Sequence, residues 1–381
     1  MLACYFAAYP WDLIDEGVDA VLDCLQGEVG VDGLTVWAAT PPVLQLRMRS
    51  VEPRVFRTDG GAAFQPCADH YTTSRCKPIV AEWVKTRNPL ATIAEACAKR
   101  NLRLRARVSA TLTGRLVDHN PHMASKSVFG TYSRASACLA NPDVQEYLCG
   151  LATDLCATYG LSGLAVTDLQ SGWVEAFSER LQPASVLGDE QRRLLSICSC
   201  ESCYQKTGAA GVDLNRVLQW ANTRLQRSLD AGCAGNTTGN DTVDVESPLA
   251  DLHRWRAAEL EALLTRISST CLGELLLDIR GWHSSGSMEY LDTLLPIPAG
   301  AIIRVAGAEE LPATPRPEAR RTEISVPTGA LIGTRDGEFV SMAYRAAEMG
   351  FSAVEIDHYG VATSAVLTTV KQAARFARRA T

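Results

Sequence analysis

The sequence predicts a (β/α)8 TIM barrel with long βα loops. Short apolar runs recur along the chain, most of them lead into a helical pattern, and no glycine-rich fingerprint follows the first run. The alternation implies parallel strands joined by right-handed crossovers. The missing fingerprint argues against a doubly wound open sheet, which is the alternative.

The runs are taken in order. Leu2 to Tyr9 is the first, ahead of a helix from Asp12 to about Glu28. Gly33 to Ala38 is the second, followed by a long loop and a helix over Pro89 to Arg100. Leu102 to Ala110 is the third, and Asn141-Pro142-Asp143 marks the start of the next helix, Asp143 to Tyr159. Leu161 to Leu169, Leu272 to Ile279 and Ala301 to Ala306 supply strands four to six. Ala330 to Thr334 is expected to be the seventh strand and Phe351 to Asp357 the eighth, before a last helix from about Ser364 to Arg379.

At 381 residues the chain exceeds the roughly 250 typical of such barrels. The expectation is one barrel domain over 1–381, with insertions near 41–88, 111–140, 171–212 and 308–328. The segments Ala234 to Asp241 and Leu311 to Pro317 read as surface loops or linkers. A net charge of −6 without a basic stripe argues against nucleic acid and anionic membranes as partners. No apolar run nears the roughly 20 residues of a spanning helix. The opening Met1-Leu2-Ala3-Cys4 lacks the basic start of a signal peptide. With 13 cysteines and no export signal, reduced thiols or a metal site are expected in preference to a disulfide framework, and the expected compartment is the cytosol.

Cys198-Ser199-Cys200-Glu201-Ser202-Cys203 is a C-x-C-x-x-C cluster. Three thiolates this close can converge on one tetrahedral ion, and zinc favours four such soft ligands in a closed structural site. Cys138, just before the Asn141-Pro142 helix start, is the best candidate for the fourth. The competing reading is a group of reduced, partly buried thiols.

The stretch from Cys138 to Cys203 resembles the family forty-two glycoside hydrolases, the β-galactosidase-type barrels. The matching features are Cys138, Asn141-Pro142, the strand Gly163-Leu164-Ala165-Val166-Thr167-Asp168, and Cys198, Cys200 and Cys203. Cys138-Leu139-Ala140-Asn141-Pro142, Tyr159-Gly160-Leu161-Ser162-Gly163 and the opening Tyr9-Pro10-Trp11-Asp12-Leu13 also look like a wider set of glycosidase-like barrels. The resemblance implies a structural zinc on the four cysteines and carbohydrate chemistry at the barrel mouth. This chain departs from it at one point. The family ends its fourth strand with Thr-Asp-Asn-Glu or similar, whose glutamate is the acid/base, and here Thr167-Asp168-Leu169-Gln170 places an amide there.

Barrel active sites form at the C-terminal strand ends. Alternation groups Val166, Asp168 and Gln170 on strand four, and Leu276, Asp278 and Arg280 on strand five. It groups Ala353, Glu355, Asp357 and Tyr359 on strand eight, and Arg103, Arg105 and Arg107 on strand three. These charged sets are expected to point inward. Inward Arg107 and Arg304 then need partners among Asp168, Asp278, Glu355 and Asp357. Asp168, Asp278 and Asp357 are the catalytic candidates, and Arg107, Gln170, Glu175, Glu355 and Tyr359 the substrate-binding ones. A structural ion-pair lattice is the competing reading. Glu175 would replace the missing acid if its loop folds inward, and Asp336 follows strand seven, where barrel glycosidases of this clan keep their nucleophile. His119, His122 and His283 lie in loops, while His358 is expected to face the helices. Trp11, Trp173 and Trp282 read either as sugar-stacking rings or as loop anchors.

The leading expectation is a carbohydrate-active, glycoside-hydrolase-like barrel acting on a small-molecule or oligosaccharide ligand. The alternatives, both favoured by Gln170, are a catalytically altered sugar-binding barrel and a lyase or isomerase using the inward arginines on an anionic small molecule. A homo-oligomer is left open.

Overall fold

A computed structural model describes residues 2–49, 52–169, 187–230, 248–271, 273–279, 299–304, 311, 322–331 and 337–377. Eight parallel strands close into a barrel: β1 (Ala3–Ala8), β2 (Gly33–Thr40), β3 (Arg103–Ser109), β4 (Gly163–Thr167), β5 (Glu274–Ile279), β6 (Ala299–Arg304), β7 (Thr322–Pro327) and β8 (Ala353–Asp357). Each pairs with its sequence neighbour, and β1 pairs with both β2 and β8 to complete the ring. The expected (β/α)8 TIM barrel is the observed fold.

The strands form where expected with one exception. The seventh is Thr322–Pro327, at the end of a stretch expected to be an insertion, while Ala330 lies in the short helix Thr328–Leu331 that follows it. The remainder of the expected strand, 332–334, lies outside the described residues. The cause is polarity. Glu323 and Ser325 face the barrel interior, so β7 carries its polar residues inward and does not read as an apolar run. The helix expected over Asp12 to Glu28 is also broken. It becomes Pro10–Glu16 and, after Gly17 at φ +96°, Val18–Leu22, which continues without a break as a π-helix over Asp23–Val29.

Helix starts follow the sequence signals. The Asn141 side chain accepts from the backbone N–H groups of Asp143 and Val144, with Pro142 in the first helical position of Pro142–Thr158. Asn88 caps Pro89–Lys99 in the same way. The main core lies between the strands and the outer helices, where Leu34, Val36, Leu104, Ala106, Leu164, Val166, Leu275 and Leu277 are buried. Each large aliphatic side chain so buried stabilises the fold by roughly 1.5–3 kcal/mol.

The loops after the strands are structured. After β2, Val43–Leu46 pairs with Val55–Thr58 as an antiparallel hairpin, and Gly61–Ala62 adds a short antiparallel strand to the end of β2. After β3, Ala124–Lys126 pairs with Tyr132–Ala137. A second apolar cluster gathers Val128, Ala140, Leu195, Ile197, Leu218 and Trp255 around the four cysteines. Among the described residues no helix is long and apolar enough to cross a membrane.

Candidate functional site

The barrel interior holds two layers of buried ion pairs. In the lower layer Arg105 meets Glu323 through two hydrogen bonds of 2.7 and 2.9 Å, with Glu274 at 3.6 Å. The guanidinium lies 3.6 Å over the Tyr5 ring. Gly33 makes room for that ring, since a Cβ there would meet it at 2.5 Å.

The upper layer, nearer the C-terminal strand ends, is centred on Arg107. Its guanidinium donates to Glu355, lies 3.4 Å from Asp278 and 3.6 Å from Asp357, and sits 5.7 Å from the Trp37 ring centre. Arg107, Asp278 and Glu355 are buried, and Asp357 is half-buried. Burial alone would pull Arg107 down, but Glu355, Asp278 and Asp357 outweigh it and hold the guanidinium above its ordinary range. Arg107 therefore finds three of the four partners expected from alternation. The side chains of Arg280 and Arg304 lie outside the described residues.

Asp168 is placed differently. β4 ends at Thr167, and Asp168 adopts φ +57°, a left-handed conformation that Asp tolerates better than most residues. Its carboxylate accepts from Ser109 Oγ at 2.7 Å and Thr167 Oγ1 at 2.6 Å, and its backbone carbonyl accepts from Thr111 Oγ1 at 2.6 Å. The expected inward face of strand four is corrected. Ala165 packs inside with Leu276 and Ile302, whereas Val166 faces the helices. Asp168 reaches its hydroxyl partners because the chain turns there, and strand alternation does not supply its direction.

Tyr359 is not part of the mouth. β8 ends at Asp357, so the alternation stops there, and Tyr359 is buried in a short turn against Phe6, with Arg49 over its ring. His358 also lies beyond β8, against the start of helix Pro10–Glu16. Its ring meets Tyr9 edge to face at 4.8 Å and lies 3.9 Å from Asp12. Gln170, Glu175, Trp173, Trp282, His283 and Asp336 lie outside the described residues. His119 is exposed, bonded to the Arg115 carbonyl, and His122 pairs with Asp143 at 3.0 Å.

The sequence did not reveal the aromatic and polar group at the ends of β1 and β2. Tyr9 stacks between Trp11 at 4.4 Å and Trp37 at 5.9 Å, and Trp11 stacks on Phe56 of the hairpin. Trp11 is buried and donates through its indole N–H to Gln45 Oε1 at 2.5 Å, which makes it a loop anchor. The Gln45 amide donates to both Asp12 oxygens, and Arg47 lies 3.4 Å from Asp12 and 2.9 Å from Asp15. Burial pushes the Asp12 carboxyl up to about 6 against the pull of Gln45 and Arg47. Gly360 seats its backbone here, because a Cβ would strike Asp12 and Gln45. Two signals were present: Gln45 and Arg47 alternate with Leu44 and Leu46, and Trp37 shares the inward face of β2 with Thr35.

The metal candidate lies apart, in the second apolar cluster. Cys138, Cys198, Cys200 and Cys203 are buried, with all four sulfurs within 4.8 Å of one another. Cys138 Sγ is 3.5 Å from Cys203 Sγ and 3.7 Å from Cys198 Sγ. A tetrahedral ion with metal–sulfur bonds of about 2.3 Å sets sulfur–sulfur edges of about 3.8 Å, so the donors fit a metal ion. The Lys126 backbone N–H donates to Cys198 Sγ at 3.3 Å, a contact of the kind that supports a metal-bound sulfur. Cys200 is the N-cap of helix Glu201–Ala209 and Cys203 lies in its first turn, so one helix start positions two of the four sulfurs.

No protein-family model matches the chain, and no curated protein sequence does. The solved structures that share its fold include two from Paenibacillus. The first is α-L-fucosidase isoenzyme 2 from Paenibacillus thiaminolyticus, with 12% identity and a TM-score of 0.55, over 98% of this chain and 49% of that one. The chain thus spans about half the length of that fucosidase. The second is the catalytic domain of β-amylase from Paenibacillus polymyxa, with 11% identity and a TM-score of 0.52, over 97% of each chain. The chain is therefore structurally similar to glycoside-hydrolase TIM barrels at low identity.

Proposed function

We propose that the chain is a single-domain, carbohydrate-active barrel of the glycoside-hydrolase kind, with a structural zinc ion on Cys138, Cys198, Cys200 and Cys203. One observation carries the first part: Asp278, Glu355, Asp357 and Trp37 converge on Arg107 toward the C-terminal strand ends. Carboxylates supply the proton transfers and charge stabilisation of glycoside cleavage, and aromatic rings suit sugar faces. Asp168, Asp278 and Asp357 are the catalytic candidates, and Arg107 and Glu355 orient them or the ligand. Arg107 is already engaged by three carboxylates. That weighs against a lyase or isomerase in which it would grip an anionic substrate, because the fork is committed.

The zinc reading rests on the four-thiolate donor set and its spacing. Zinc would brace the loop Ala124–Ala137 and helix Glu201–Ala209 against the second core, without an open position for substrate. A high cysteine count, with four cysteines placed to hold a metal, is what a reducing, cytosolic setting would suit.

A sugar-binding barrel without turnover is the second reading. The Arg107 lattice favours it, because carboxylates committed to one guanidinium are less free to turn toward a substrate. Hydrolysis of activated aryl glycosides separates the two. Leaving groups that need little protonation should be released by the wild type, and Gln170→Glu should extend activity to unactivated glycosides. Absence of turnover by both forms, with saccharide binding retained, would leave the binding reading.

A further inference from the structure

Cys156 lies in the last turn of helix Pro142–Thr158, and Cys271 caps the end of helix Leu249–Thr270. Their sulfurs are 2.8 Å apart, closer than the 3.5 and 3.7 Å separations within the four-cysteine cluster. Both residues are half-buried, so a small reagent reaches them, whereas the four cluster cysteines are buried. Neither belongs to the cluster or to the barrel mouth.

We propose that Cys156 and Cys271 are a disulfide-forming pair, an oxidative modification site whose oxidant is a low-molecular-weight disulfide of the glutathione class. The geometry assigns the order of attack. The Cys156 thiol donates to Cys271 Sγ at 2.8 Å, which leaves Cys271 the sulfur better placed to act as the thiolate. The Cys271 thiolate attacks one sulfur of the oxidant, forms a mixed disulfide and releases one small thiolate. Cys156 then gives up its proton and attacks Cys271 Sγ, releasing the second. Two protein thiols are oxidised to one disulfide, and one small disulfide is reduced to two small thiols.

The bond links positions 115 residues apart and encloses Cys198, Cys200 and Cys203 in the closed loop. A loop that long strongly restricts the unfolded chain. Oxidation should therefore raise the unfolding midpoint by at least about 5 °C.

The test uses full-length protein purified without chelators and incubated with oxidised glutathione. Free thiols are then alkylated without reduction and the digest is read by mass spectrometry. The expected result is a peptide pair joined through Cys156 and Cys271, with bound metal retained. In Cys156→Ser the mixed glutathione disulfide should accumulate on Cys271. Full alkylation of both cysteines after oxidation, or cross-links confined to other cysteines, would overturn the proposal, and the wild-type digest decides this even if a variant fails to fold.

Discussion

Arg107 and Glu355, 248 residues apart in sequence, meet inside the barrel with both side chains fully buried. β3 and β8 bring them together, and the same guanidinium gathers Asp278 and Asp357. The centre of the site is therefore a shared-charge network whose members depend on one another.

Arg107→Met should destabilise the fold by about 3–5 kcal/mol, because it strands carboxylates that burial makes costly to keep ionised. Adding Glu355→Gln to that variant should recover part of the loss. Chemical denaturation of the single and double variants measures it, and additive losses would show that the pair is not coupled.

Asp168→Asn isolates chemistry from folding. Asn tolerates the left-handed backbone at φ +57°. Stability should change by about 1 kcal/mol or less. If Asp168 acts as a proton donor or acceptor, turnover falls by about 10²–10⁴-fold at unchanged substrate affinity. Loss of stability with turnover intact would assign Asp168 to bracing the end of β4.

Asp12 gives the fold a pH dependence. Its carboxyl is raised from 3.8 to about 6 in the folded chain, so the folded state holds the proton more tightly than the unfolded state. Its stabilising contribution is fully present below pH 3.8 and is lost as pH rises through about 6. The stability of the wild type relative to Asp12→Asn should fall by about 3 kcal/mol across that window. Paired denaturation curves at pH 4 and pH 7 measure the difference, and a constant gap would refute the assignment.

Elemental analysis of protein purified without chelators should find about one zinc ion per chain. Cys200→Ser should lower the unfolding midpoint with little effect on any activity, because the cysteines lie in the second core and not at the mouth. Metal-free protein with an unchanged midpoint would contradict the zinc reading.

Seven of the eight strands were legible because their outward faces, such as Leu104, Ala106 and Val108, form apolar alternations. β7 was hidden because its interior positions hold Glu323, the partner of Arg105, and Ser325. A charged residue inside a barrel looks like a surface residue until its partner 218 positions away is known. The Arg107 partners followed from alternation and the cost of an unpaired buried charge. Asp168 did not, since a single left-handed residue resets the side-chain direction. The Trp11–Gln45–Asp12 group depended on a hairpin folding back over β1, which local spacing does not encode.

The measurement that bears most directly on the mouth as a sugar site is calorimetric titration of the full chain with neutral saccharides and small dicarboxylates in parallel. At least one neutral saccharide should bind, and Asp357→Asn should weaken it by about tenfold or more in protein that stays folded at the titration temperature. Binding confined to the dicarboxylates, or no saccharide binding at all, would contradict a carbohydrate site at the barrel mouth.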